Sequence, residues 1–469
     1  QNLGESINWN LLAGYDRTDF ASAGATISND AGTLYESAIS SAEGTGQRYQ
    51  LNNHLAWHIG GNHELRLGAD LQKTTELNYN ANRTNFNSTP GNGFDTIFSQ
   101  DYQETRRTDL FTVYEWRPAN GLSLQVGARH ETSDYDSNSP PQLVMTATVR
   151  QAFQFDPAVL DPTARTPFSA RVSGFNPSAH LRWSVTANQD FRFSVARTVR
   201  RPHLGELDPL VYITASHNGS LTNEVQVGNP ALKNEESLGF DAGYDWRFTD
   251  GIIGVNVFHR DIENLIEDTI ISSERFAELR PDLVSEIQRF ALFMNQNFPL
   301  GGPVLTTSPV NTARSTRVYG VELDTSLPLN FISPNAHLYA NATWSNRKTS
   351  GQPGVEGSAV NVSYDHVLEA IGFTYGLGMN WITRSRSHSE SLGSLIADTE
   401  RKLEPNFELF VEKKFGASLL ARLTMENATD ALENRLDVNQ FLGSSSGTQI
   451  NRRKTQSDPR ILFTVRGKF

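Results

Sequence analysis

The stretch Leu238-Gly239-Phe240-Asp241-Ala242-Gly243-Tyr244-Asp245-Trp246-Arg247-Phe248 places an apolar side chain at every second position. Leu238, Phe240, Ala242, Tyr244, Trp246 and Phe248 share one parity; Gly239, Asp241, Gly243, Asp245 and Arg247 share the other. A β-strand turns successive side chains to opposite faces, so this period of two is a strand with one greasy and one polar face. Thr249-Asp250 then makes a tight turn, and alternation resumes over 253–257. The unit is a β-hairpin.

The same pattern recurs outward in both directions. Leu122, Leu124, Val126 and Ala128 alternate with Ser123, Gln125, Gly127 and Arg129, and Ala336, Leu338, Ala340, Ala342 and Trp344 alternate with His337, Tyr339, Asn341 and Thr343. About sixteen strands are predicted, near 5–15, 48–59, 63–74, 106–117, 121–131, 176–185, 189–198, 235–248, 251–262, 314–326, 335–346, 364–371, 376–386, 403–414, 417–427 and 459–469. Short connections such as Gly60-Gly61-Asn62, Pro118-Ala119-Asn120 and Phe415-Gly416 take turns with long ones. The long ones run over 16–47, 75–105, 132–175, 199–234, 263–313, 347–363, 387–402 and 428–458, far beyond the length usual in compact soluble domains. Short turns at one end and long loops at the other are the layout of an all-β, up-and-down transmembrane barrel.

Composition agrees. The chain has 469 residues, 38% hydrophobic and 10% aromatic, with a formal net charge of -11, and a mean hydropathy of -0.44. Many aromatics with little bulk hydrophobicity are what strict alternation produces. No apolar run suits a membrane helix. A closed barrel is the other structure that satisfies strand N–H and C=O groups in hydrocarbon. The apolar parity then faces lipid, and the polar parity (Asp241, Asp245, Glu322, Asp324, Arg422, Glu426) faces the lumen. All seven Trp fall in predicted strands and suit interfacial girdles. With zero Cys, disulfides and thiolate chemistry are excluded. The acidic balance argues against nucleic-acid binding. The chain starts at Gln1, with no basic-then-apolar leader, and is expected to be a processed or truncated product.

Several segments carry a more specific signal. Gly228-Asn229-Pro230-Ala231-Leu232-Lys233-Asn234-Glu235-Glu236-Ser237 resembles the "GNPxLKPExS" strand entry of the TonB-dependent outer-membrane receptors, with Asn234 where Pro is usual. Val257-Phe258-His259-Arg260-Asp261-Ile262-Glu263-Asn264-Leu265-Ile266 is similar to their "FYRDIxDxI", and Val318-Tyr319-Gly320-Val321-Glu322-Leu323 to their "xxGxE" strand. Ser194-Val195-Ala196-Arg197-Thr198-Val199-Arg200-Arg201-Pro202 resembles "AxxRxxRRP", and Glu426-Asn427-Ala428-Thr429-Asp430 the "xNLxD" strand end. The last strand, from Ile461 to Phe469, alternates up to a terminal aromatic, like the assembly signal of outer-membrane barrels.

That resemblance implies a bacterial outer-membrane receptor, non-enzymatic, with a periplasmic C-terminus, set among lipid and lipopolysaccharide. It implies uptake of a small, scarce extracellular ligand, most commonly a ferric siderophore, driven by the TonB energy-coupling complex acting through a plug domain. The family's barrel has about 22 strands around that plug. Neither plug motifs nor a coupling box are found here. The expectation is therefore that residues 1–469 are the C-terminal part of the barrel, with the plug and roughly six strands elsewhere. Two alternatives stay open: a passive 16-stranded porin, and one chain of a split receptor.

Candidate site residues are few. Arg197, Arg200 and Arg201 lie where a strand enters a long loop, and guanidinium suits carboxylate or phosphate recognition; contact with lipopolysaccharide or the plug is the plainer reading. Asp134, Asp136 and Asn138 sit at positions 1, 3 and 5 of a calcium-like loop, but Ser139 and Met145 replace the Gly and Glu of an EF-hand, so a solvated acidic loop competes. Residues 273–298 repeat apolar groups at helical spacing, broken by Pro281, and are expected to form a helical insert, with a lid over the ligand chamber as one use. Phe94, Phe98, Tyr102 and Phe153 could stack on a ligand or pack loop against loop. No HExxH or GxSxG pattern occurs, and no cofactor is expected.

Overall fold

The computed structural model describes residues 6–30, 33–86, 94–97, 101–139, 142–156, 166–215, 223–299, 303–352, 354–391, 395–416, 418–441, 447–456 and 458–467. Among the described residues, twenty-five strands form one hydrogen-bonded sheet. Sixteen of them make an up-and-down wall. In order these are β1 (Ile7–Asp30), β2 (Thr33–Gly60), β3 (His63–Phe86), β5 (Asp101–Ala119), β6 (Leu122–Ser139), β8 (Thr166–Thr186), β9 (Gln189–Arg200) and β12 (Glu235–Phe248). The wall continues through β13 (Gly251–Glu263), β16 (Thr316–Pro328), β17 (Ala336–Thr349), β18 (Val355–Leu368), β19 (Phe373–Ser391), β21 (Asn406–Phe415), β22 (Leu419–Glu426) and β25 (Arg460–Gly467). Each wall strand pairs antiparallel with the next.

Among the described residues no pairing joins β1 to β25. The wall is an open ladder with two free edges, and every residue of β25 is exposed. The wall has the sixteen strands expected, and the closure that the porin alternative requires is not formed among the described residues. Gly467 pairs with Leu419, so β25 ends on the short-turn side. Phe469 lies outside the described residues.

Register separates two faces. Trp246 pairs with Ile253, Val257 with Val321, and Val321 with Trp344, all on the apolar face. Asp245 and Asp324 belong to the other parity. Gly320 permits the close packing of that other face: a Cβ there would meet the Trp344 carbonyl at 2.4 Å and the Phe258 ring at 2.6 Å.

Among the described residues, five of the eight long connections are largely strand. β1 and β2 run on to Asp30 and Thr33, through most of the predicted 16–47 loop. The 28 residues of β2, at about 3.4 Å rise and about 45° tilt, climb about 65 Å, twice a bilayer core of about 30 Å. The upper halves therefore stand outside any membrane. There both faces meet water, so Thr, Ser, Gly and Asn replace the apolar parity and the sequence signal vanishes while backbone pairing continues. The expected loops 75–105, 347–363, 387–402 and 428–458 are largely strand for the same reason, including the hairpin extension of β20 (Leu395–Leu403), β23 (Leu432–Phe441) and β24 (Gly447–Gln456).

Candidate functional site at the long-loop end

Six further strands rise from four connections and pair with one another: β4 (Phe94–Ile97), β7 (Gln142–Thr146), β10 (Val211–Ala215), β11 (Glu224–Val227), β14 (Ile266–Ile270) and β15 (Leu305–Asn311). Their order is β4, β7, β10, β11, β15, β14, with β7–β10 and β11–β15 parallel. Parallel neighbours cannot come from one hairpin, so strands from separate connections must meet. Helices α1 (Ala147–Ala152), α3 (Ser273–Leu279) and α4 (Val284–Asn297) cover this sheet. The helical insert expected over 273–298 is thus real, broken around Pro281. Ser272 caps α3, accepting from the Arg275 N–H.

This cap has its own core. Val211, Ile213, Val225 and Val227 from the sheet meet Ile287, Phe290 and Met294 of α4, all buried. Phe290 stands 5.1 Å from the Phe153 ring and 5.2 Å from Phe155. The Arg289 guanidinium lies 4.1 Å over Phe153, and Arg280 forks onto Asp282 at 3.0 and 2.8 Å. Hydrogen bonding to that guanidinium holds the Asp282 carboxyl below its ordinary range. Phe153 therefore packs loop on loop. Tyr102 donates to Glu104 at 2.8 Å; Phe94 falls in β4, and Phe98 lies outside the described residues.

A second cluster ties the cap to the wall. Pro202 ends the ladder of β9, and the chain folds onto the polar face of β6 through α2 (Leu204–Leu207). Leu204 and Leu207 pack with Tyr135, Val172 and Leu232; Tyr135 Oη donates to the Pro202 carbonyl at 3.2 Å. A Cβ at Gly228 would lie 1.9 Å from the Asp208 carbonyl oxygen, so glycine is required where the returning segment crosses the outgoing one. Asn229 Nδ2 reaches the Pro309 carbonyl at 3.0 Å, and Asn234 Nδ2 the Ser173 carbonyl at 2.8 Å. The segment Gly228–Asn234 is a clamp holding cap to wall.

The structure separates the three candidate arginines. Arg197 pairs in register with Leu238 on the apolar face and forms an ion pair with Glu236. Arg200 turns to the other face and forks onto Glu235 at 2.7 and 3.0 Å. Arg201 bonds Glu131 and approaches Asp109 at 3.9 Å. Asp134, Asp136 and Asn138 lie at alternate positions of an extended strand, on the face away from Tyr135. Asp134 is 2.5 Å from Arg171, and Asp136 is 3.7 Å from Arg106. No metal-holding group of His, Asp or Glu occurs among the described residues.

Below Arg201 lies a network missed from sequence. Asp70 pairs with Asp109 and Asp109 with Glu131 in register, so three carboxylates stand in one row across β3, β5 and β6. Like charges directly opposite destabilise a sheet. Arg129 answers all three, at 3.1 Å from Asp70, 2.7 Å from Asp109 and 3.2 Å from Glu131. Arg107 adds 2.5 Å to Asp109, and His54 2.8 Å to Asp70. A sequence signal existed: acids at one parity of three successive strands. It becomes visible only with register.

Further toward the short turns the polar face holds a concavity of about 740 Å³, bordered by Arg117, Arg182, Arg192, Asp241, Glu322 and Asp324. Its arginines are engaged: Arg117 with Glu115 at 2.6 Å, Arg182 with Asp190 at 3.1 Å, Arg192 with Asp245 at 2.8 Å. The arrangement is one of charged walls, a polar groove and a folded cover.

A family model described as "TonB dependent receptor-like, beta-barrel" matches residues 1–399. No curated protein sequence matches. Among solved structures, the ferric-catecholate import receptor Fiu of K12 E. coli aligns at TM-score 0.60 and 12% identity, over 100% of this chain and 62% of that one. The ferric yersiniabactin uptake receptor FyuA of Yersinia pestis aligns at 0.59 and 10%, over 100% and 60%. The ferric citrate transporter FecA in its unliganded form aligns at 0.57 and 10%, over 99% and 59%. The chain spans about 60% of the length of these structures.

Proposed function

Since the chain belongs to the TonB dependent receptor-like β-barrel family of the outer membrane, we propose that it forms the wall and extracellular cover of an energy-coupled receptor that admits a ferric siderophore. In this reading the apolar face meets lipid, the short turns and the C-terminus face the periplasm, and the cap overhangs the external mouth. The lumen receives a plug supplied by sequence outside these residues or by another chain, and TonB acts through it. Strands from the same source pair with the free edges of β1 and β25.

The observation that carries the reading is the open ladder under a folded cap. A sixteen-stranded porin needs β1 to pair with β25, and two unpaired edges instead call for further strands. Arg200 ties β9 to Glu235 of β12 and Arg201 reaches Glu131 of β6, so a ligand would reach their guanidiniums only by displacing Glu235 or Glu131.

The test is iron uptake. Cells lacking their own receptors and expressing the full-length protein should accumulate radio-iron from at least one of a set of ferric catecholate, phenolate and citrate complexes. Accumulation should fall to background when TonB is deleted. Entry that ignores the TonB deletion would support the porin instead.

A further inference from the structure

The short-turn ends differ between the two halves of the wall. On β1, β2, β5, β8 and β12 a Trp sits within a few residues of the short-turn end: Trp9, Trp57, Trp116, Trp183 and Trp246. The turn tips there carry small or polar groups, such as Gly60-Gly61-Asn62, Asn120-Gly121 and Thr249-Asp250. From β16 to β22 that level has no Trp, because Trp344 and Trp381 lie further up β17 and β19. Here the tips themselves are apolar. Phe331 is 85% exposed and Ile332 52%, between β16 and β17; Ile371 is 57% exposed between β18 and β19, and Phe415, at the end of β21, 51%.

These side chains are presented on fixed backbone. The 329–335 turn is held by Ile332 N–H to the Leu329 carbonyl at 2.7 Å, Leu329 N–H to Ala336 at 2.7 Å and Val367 N–H to Asn335 at 3.0 Å. It is also continuous with the apolar face, since Leu327 pairs with Leu338 at its base. Lys413, on the same parity as Leu409 and Val411, bonds the Ile371 carbonyl and lies 6.0 Å from the Phe415 ring. An ammonium on an apolar stem beside aromatics suits a headgroup layer.

We propose that the β16–β22 rim is a membrane-inserted edge, with Phe331, Ile332, Ile371 and Phe415 entering the headgroup–acyl boundary of the periplasmic leaflet. They take the place there of the Trp girdle that anchors the other half. The occupant is a phospholipid surface, and Lys413 favours an anionic one. The inference rests on the short turns facing the periplasm and is independent of which solute the receptor admits.

The chain has no Cys, so single cysteines can be placed cleanly once any in the remainder of the full-length protein are replaced. Phe331→Cys, Ile371→Cys and, as reference, Asn120→Cys would each carry an environment-sensitive fluorophore in vesicles of phosphatidylethanolamine and phosphatidylglycerol. Retained heat-modifiable migration checks folding. The expected result is blue-shifted emission at 331 and 371, quenched several-fold more by doxyl-labelled lipid than at 120, and shielded from iodide. Emission at 331 and 371 that matches 120, with equal iodide quenching, would overturn the proposal and leave the rim facing water. Iron uptake is read separately, so failure of the receptor reading would not be mistaken for failure of this one.

Discussion

Replacing Phe290 with Ala is expected to unfold the cap while leaving the wall intact. Phe290 is fully buried, and its ring touches those of Phe153 and Phe155, side chains from a different connection. Large-to-small change at such a site costs about 3–5 kcal/mol, from lost transfer energy plus the cavity. The cap is small, and its sheet is assembled from four separate connections, so little stability remains to absorb that loss. Limited proteolysis of intact cells should show new external cleavage in the 142–156 and 273–297 segments, with heat-modifiable migration of the wall unchanged. Leu292→Ala, on the exposed side of the same helix, should stay within about 0.5 kcal/mol of the parent. Equal protease resistance of the Phe290 and Leu292 variants would mean that the helices are an independent lid. For the same reason, deleting 273–298 would remove the shared core, so an uptake defect in that deletion does not isolate a lid.

The Arg129→Leu variant tests the polar face. Asp70, Asp109 and Glu131 stand side by side in register, and Arg129 lies within 3.2 Å of all three. Asp109 is 1% exposed and cannot regain water, but Arg107 stays beside it at 2.5 Å. Removing the partner of a buried charge costs about 3–5 kcal/mol when nothing else compensates it; with Arg107 and His54 still in place and Arg129 34% exposed, the loss falls to about 2 kcal/mol. The readout is the urea midpoint of the protein refolded in lipid vesicles. Adding Asp109→Asn to Arg129→Leu should recover part of the loss, because the row then carries one less negative charge. An unshifted midpoint would mean that the row is hydrated and that Arg129 is dispensable.

The wall was legible because one face of each strand meets an apolar medium. Where that holds, as in Leu238–Phe248, alternation is strict and strand, turn and face can all be read. Where both faces meet water, as from Asp16 to Ala25, pairing leaves no compositional trace, and strand reads as loop. The cap was invisible for another reason. Val211, Ile213, Val225 and Val227 bury apolar faces against helices some 60 residues away in sequence, and short runs of that kind cannot be assigned partners from periodicity. The motif at Gly228–Asn234 was readable as a family signature, but its work as a clamp depends on the crossing beneath Asp208. The Asp134, Asp136 and Asn138 spacing suggested a wrapped ion, whereas in an extended strand alternate residues sit about 7 Å apart, with Asp134 on Arg171 and Asp136 near Arg106. Arg197 and Arg200 look equivalent in sequence; their odd separation puts them on opposite faces.

The central claim is that these sixteen strands are an arc of a larger barrel, with β1 and β25 far apart. Spin labels at Leu11→Cys on β1 and Phe463→Cys on β25 of the full-length receptor measure that gap directly. Six intervening strands make seven intervals of about 4.8 Å each and predict a separation of about 34 Å along the sheet. A closed sixteen-stranded barrel would make the two strands neighbours, and a label pair in near contact would contradict the account.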